Sequence, residues 1–229
     1  MTSFLTPIQK AILGLMILIP MGFSIAQGYV QIITPSEIHK ASKHYSGGNA
    51  QVEAQISQRL QSWQQLVNNN LHLSELQKLT VVNNFFNKVN YAEDRLHWRL
   101  SDYWASPIEF LATNAGDCED YSIAKYFTLI AMGVPESKLL ITYVKALSVG
   151  QAHMVLTYYP GPGQMPLVLD NMNPLVRPAS ERTDLAPVYS FNGGGLWLAR
   201  ERGRGASVPG GTDRLKSWND LNQRLRAFQ

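Results

Sequence analysis

The hydrophobic period of this chain changes from helical to strand-like at Gly133-Val134-Pro135, and that change limits the fold more than any other feature. Before it, apolar residues recur at helical spacing. Val52, Ile56, Leu60, Trp63 and Leu66 lie four, four, three and three apart, and Asn68-Asn69-Asn70 closes the run. A second helix is expected from Ser74 to about Val89. Ser74 precedes Gln77 by three, the pattern of a capping box, and Leu76, Leu79, Val82, Phe86 and Val89 supply the stripe. A third pattern, Ile123, Phe127 and Ile130, follows Cys118 and runs into the Gly-Val-Pro stop. Beyond the stop the period is two. Leu140–Leu147, Ala152–Tyr159 and Pro166–Asp170 read as strands, separated by turns at Ser148-Val149-Gly150 and Pro160-Gly161-Pro162-Gly163. Helices followed by strands, with no alternating β-α-β units, predict an α+β fold with an antiparallel sheet.

The flanks are less regular. Residues 27–50 read as an irregular or short-stranded lead-in, and Tyr91–Phe110 as an aromatic-rich stretch with a turn at Ser106-Pro107. Leu196–Ala199 reads as a short strand and Gly203–Gly211 as a flexible loop. In Asp213–Phe228 the residues Leu215, Trp218, Leu221, Leu225 and Phe228 share one face, which predicts a docked amphipathic helix.

The first residues bear on the compartment. Lys10 is followed by an uncharged run from Ala11 to Ala26 that ends in Ser24-Ile25-Ala26, small at the −3 and −1 positions. That is the layout of a secretory signal peptide, residues 1–26. Sixteen residues containing Pro20 are short for an uncleaved anchor, which needs roughly 20. The expectation is export, cleavage near Ala26 and a single domain over 27–229. With 45% hydrophobic and 16% charged residues a sizeable core is available and wholesale disorder is excluded. The formal charge of +3 is small and scattered, so no nucleic-acid partner is expected.

The chain has one cysteine, Cys118. One cysteine excludes an internal disulfide and a cysteine-rich zinc site. It is either a buried filler or a nucleophile, and in an exported protein a leftover thiol points toward reactivity. Its position adds a reason. Cys118 stands at the start of a helix, after a glycine that lets the backbone turn, where unpaired N–H groups and the helix dipole favour a thiolate. The same N–H groups can form half of an oxyanion hole. Trp104 is expected in the core, and its indole N–H is a candidate for the second donor.

A thiol nucleophile needs a base. Of five histidines only His153 lies inside a clear strand, thirty-five residues after the cysteine. Asp170 ends the next strand, and if the two strands pair as a hairpin His153 and Asp170 lie at one end. A carboxylate there can hold the imidazole's tautomer. The bland alternatives are a core histidine and a turn aspartate.

Three acids, Asp117, Glu119 and Asp120, crowd the thiol, and like charges disfavour a thiolate. Either they face solvent in the helix's first turn, or they hold a divalent cation. Carboxylates select a hard ion such as calcium over zinc.

Gly116-Asp117-Cys118-Glu119-Asp120-Tyr121-Ser122-Ile123-Ala124-Lys125-Tyr126, Ala152-His153-Met154-Val155-Leu156 and Leu167-Val168-Leu169-Asp170-Asn171 together resemble the bacterial transglutaminase-like cysteine proteases of the LapG type. The lead-in Asp102–Phe110 extends the resemblance to roughly residues 80–175. It implies a papain-like or transglutaminase-like core, with Cys118 as nucleophile, His153 as general base and Asp170 as orienting residue. It implies a calcium ion beside the cysteine, with Asp117 and Asp120 as side-chain ligands and Glu119 as a further candidate. The implied substrate is a large cell-surface adhesin, cut near its N-terminus in the periplasm after a small-residue motif containing paired alanines, which releases cells from a biofilm. The implied partner is an inner-membrane receptor that responds to cyclic di-GMP and sequesters the protease. The same triad would also serve an acyl transferase or a peptidoglycan amidase. A different class of reading is a catalytically idle calcium-binding partner of a membrane receptor.

Overall fold

Each of the first three helices has its start written in the adjacent residues. In the computed structural model, which describes residues 30–200 and 203–227, α1 (Pro35–Tyr45) begins at a reciprocal Thr34–Glu37 capping box with proline in its first turn. The expected signal peptide lies outside the described residues. The helix α1 replaces the irregular lead-in expected over residues 27–50. Its buried face holds only Ala41 and Ser42, too small a stripe to register as a period. The next helix, α2 (Ala50–Asn69), buries Ile56, Leu60, Trp63 and Val67. The third, α3 (Glu75–Phe86), has the Ser74–Gln77 capping box and buries Leu79, Val82 and Phe86. It stops short of Val89, at an Asn87 cap whose side-chain amide donates to the Asp170 carbonyl at 2.8 Å.

The middle of the chain folds back on itself. A short strand β1 (Asn90–Tyr91) leads into α4 (Asp94–His97), then α5 (Pro107–Thr113), β2 (Ala115–Gly116) and α6 (Cys118–Ala131). The expected turn at Ser106-Pro107 is the start of α5, with Ser106 and Glu109 in a capping box. The strands β1 and β2 pair in parallel, Asn90 with Ala115 and Tyr91 with Gly116. The residues that follow each strand are therefore brought alongside one another.

The second half is the sheet: β3 (Leu139–Ala146), β4 (Gln151–Tyr158), β5 (Leu167–Leu169), β6 (Arg177–Pro178), β7 (Leu185–Asn192), β8 (Gly195–Arg200) and β9 (Gly203–Ser207). Its order is β6-β5-β4-β3-β7-β8-β9, and neighbouring strands are antiparallel. The strand β9 pairs with β8 where a flexible loop was expected. Its glycines mask a strand period, and main-chain pairing needs none.

The nucleophile helix α6 packs on β4 and β3 and against α3. Ile123, Ala124 and Leu129 join Leu139, Ile141, Met154 and Leu156 in one core. The last helix, α7 (Lys216–Ala227), docks as expected: Trp218 stacks on Phe127 at 5.9 Å and meets Phe191 edge-on at 5.2 Å. None of the helices among the described residues is long and apolar enough to cross a membrane.

Candidate active site

The helix α6 starts at Cys118, as the sequence suggests, with Asp117 as its N-cap. Gly116 serves a different purpose from the one read in the sequence. Its backbone is not left-handed. Instead, a Cβ placed there would lie 2.3 Å from Asp120 Oδ2 and 2.7 Å from the Phe110 ring. Glycine is required so that two buried groups can close over the backbone. Asp120, fully buried, accepts hydrogen bonds from the backbone N–H of Ala105 at 2.7 Å and of Asp117 at 3.2 Å.

The Cys118 sulfur is half-buried. The Met154 backbone N–H points to it, and the thiol donates to Glu119 Oε2 at 2.8 Å. Burial first, and then the Glu119 and Asp117 carboxylates, push this thiol above its ordinary range, against the pull of the Met154 N–H. The helix start alone does not ionise it.

One residue before Met154 on β4, His153 is buried, and its Nε2 lies 2.8 Å from Asp170 Oδ1. The strand β5 pairs with β4 only over Leu156–Tyr158, so the stretch of β4 carrying His153 has no β5 residue alongside it. Asp170 follows the end of β5, and the hairpin brings the two side chains to one end. Asp170 Oδ1 also accepts from the Met172 N–H at 2.9 Å, and Oδ2 accepts from Arg182 Nη2 at 2.7 Å. Burial alone would raise the Asp170 pKa. The hydrogen bond and charge of His153, with the Met172 and Arg182 donors, outweigh it and hold the carboxyl at about 2. With Nε2 committed to Asp170, Nδ1 is the ring nitrogen left for proton exchange.

The acids divide into two overlapping groups. Asp94, Asp117 and Asp120 each offer an oxygen, all within 4.8 Å of one another, and ligand atoms of Asp117, Cys118 and Glu119 cluster in the same way. Asp94 Oδ1 and Asp117 Oδ1 are buried without a hydrogen-bond partner. Desolvation pushes the Asp94 carboxyl up to about 6, and desolvation with neighbouring carboxylates also raises Asp117 and Asp120 above the usual carboxylate range. Bare carboxylate oxygens converging in a buried place fit a hard, oxygen-seeking cation. Asp94 was missed in the sequence, where nothing local marks it. It reaches Asp117 because β1 pairs with β2. Arg182 was also missed; it arrives where the chain returns between β6 and β7.

Trp104 is buried, its ring stacked on Phe191 at 5.6 Å and its indole N–H donated to Asp102 Oδ1 at 3.0 Å. It packs, and its N–H is not free for an oxyanion. Lys125 on α6 is buried with its Nζ over the Tyr121 ring and without a hydrogen-bond partner, and burial lowers its pKa to about 7.

A profile of the bacterial transglutaminase-like cysteine proteinases (BTLCP) matches residues 44–187. The chain belongs to that family. Solved structures of Legionella pneumophila LapG share its fold. The EGTA-treated form has a TM-score of 0.68 and 40% sequence identity over 82% of this chain and 96% of LapG. The calcium-bound form has a TM-score of 0.67 and the same identity, over 82% of this chain and 98% of LapG. No curated protein matches. As a member of the family the chain is a LapG-like cysteine protease with a transglutaminase-like α+β fold.

Proposed function

We propose that this protease is a periplasmic, calcium-dependent endopeptidase in which Cys118 is the nucleophile, His153 the general base and Asp170 the residue that orients it. The observation that carries the proposal is the 2.8 Å His153–Asp170 hydrogen bond, set one residue from Met154, whose N–H meets the Cys118 sulfur. His153 Nδ1 takes the thiol proton as the sulfur attacks a peptide carbonyl carbon. Asp170, ionised and buried, steadies the resulting imidazolium. Backbone N–H groups at the start of α6 receive the oxyanion. The tetrahedral adduct collapses, the imidazolium protonates the leaving amine, and the thioester is released to water by the same base.

Asp94, Asp117 and Asp120 would hold the calcium ion, with Glu119 at its edge. Bound there, the ion supplies positive charge that offsets the carboxylates now keeping the thiol protonated. The existence of LapG in calcium-bound and EGTA-treated forms supports this reading. The proposed substrate is the N-terminal region of a large surface adhesin whose cleavage frees cells from a biofilm. The proposed restraint is a cyclic di-GMP-responsive inner-membrane receptor. Both rest on the motif resemblance around Cys118, His153 and Asp170.

The test is incubation of an adhesin N-terminal fragment with wild type and with Cys118→Ala, followed by mass spectrometry. Two new termini from wild type alone are expected. An isopeptide product points instead to an acyl transferase, and cutting by Cys118→Ala removes the thiol from the mechanism.

A further inference from the structure

We infer that Arg182 is a positioning residue of this protease, fixing the Asp170 carboxylate so that its other oxygen is aimed at His153. The inference rests on the Cys118–His153–Asp170 reading above and extends it by one residue. Arg182 stands twelve positions after Asp170, just past the short 3-10 turn Ala179–Glu181 and before β7. It is buried at 7% exposure. Nη2 donates to Asp170 Oδ2 at 2.7 Å, while Nε and Nη2 grip Asp184 Oδ1 and Oδ2 at 2.9 and 2.7 Å. The guanidinium is thus held side-on by one aspartate and donates a second N–H of the same nitrogen to the other.

That geometry answers a need of Asp170. Its side chain is closed off from water, and Oδ1 is already shared between His153 and the Met172 N–H. Oδ2 would be a bare buried oxygen without Arg182, a costly state for a carboxylate. A carboxylate anchored at one oxygen only can rotate. Anchored at both, it presents Oδ1 to the imidazole in one orientation. Arg182 can do this because it is itself shielded. It lines a cavity of about 370 Å³ over the sheet, with Val144, Val155 and Val168, and Asp184 holds the Nε and Nη2 edge of its fork. A planar, always-charged fork suits such a bridge better than an ammonium. The other charged groups facing the pair are Lys125 from α6 and Asp184. Lys125 makes no hydrogen bond to the Asp170 carboxylate, whereas Arg182 does.

Cys118 is the chain's single thiol, so carbamidomethylation by iodoacetamide, followed by intact mass in calcium buffer at pH 7, reads its activation without any substrate. Arg182→Met is expected to slow alkylation by about ten- to a hundredfold, up to the scale of a catalytic group misplaced by about 1 Å. Asp170→Asn is expected to do the same, and the double variant to be no slower than the slower single one. Arg182→Lys, which keeps charge without the fork, is expected to fall between Arg182→Met and wild type, and carries the test if Arg182→Met does not fold. Melting temperatures are recorded alongside. A variant at Arg182 that melts earlier yet alkylates at the wild-type rate overturns the inference, as does a double variant whose two losses multiply. If Asp170→Asn itself alkylates at the wild-type rate, the triad reading fails instead, and the two failures are told apart.

Discussion

Gly116→Ala is a small change with a calculable consequence at the acidic cluster. The added carbon would sit 2.3 Å from Asp120 Oδ2 and 2.7 and 2.8 Å from two Phe110 ring carbons, where ordinary contact is 3.4–4 Å. Something must move by about 1 Å in a region with no slack, since Phe110 and Asp120 are both fully buried. Overpacking of this kind costs about 1–3 kcal/mol. If Asp120 swings aside instead, the Ala105 and Asp117 N–H groups lose their acceptor, at about 1–3 kcal/mol for each one left buried and bare. The expected loss is about 1–6 kcal/mol by whichever route is taken, a fall of roughly 2–24 °C in melting temperature for a domain of this size. Urea and thermal unfolding measure it, and calorimetric calcium titration should show weaker binding because Asp120 is displaced. An unfolding free energy within about 0.5 kcal/mol of wild type would refute the close packing on which this reasoning depends.

Two further outcomes follow from the same geometry. Asp94→Asn should weaken calcium binding in a titration while raising the melting temperature of the chelated protein, because it removes a charge from a carboxylate group that is buried and partly unpartnered; loss of stability in chelator would contradict this. Asp170 is held at about 2 against an ordinary 3.8, so its ionised form stabilises the fold by about 2 kcal/mol. Because the folded value is depressed, that contribution is present above pH 4 and lost as pH falls toward 2. The difference in unfolding free energy between wild type and Asp170→Asn should therefore shrink over that window, and a difference independent of pH would count against the ionised pair.

The parts of the fold visible in the sequence are those set by neighbours along the chain. The Ser74–Gln77 capping box, the stripe of α2 and the glycine–proline stop after α6 each need only a few adjacent residues. What was hidden depends on distant ones or on weak local pattern. In β7 the strand period is broken by Pro187, which the sheet accommodates where its register with β3 shifts beside Val144. In α1 the buried side chains are too small to show a stripe. The places of Cys118, His153 and Asp170 were readable because each lies at or near the end of a recognisable helix or strand. Asp94 and Arg182 were not, since they arrive through the β1–β2 pairing and through the return of the chain after β6. Gly116 was seen but misread, because a turn and a close approach call for the same residue.

The most direct measurement is cleavage of an adhesin N-terminal fragment by the wild-type protein in calcium and in chelator, with products identified by mass. The account predicts two fragments in calcium and intact substrate in chelator. Cutting that persists unchanged in chelator would contradict the proposed role of Asp94, Asp117 and Asp120 beside the Cys118 thiol.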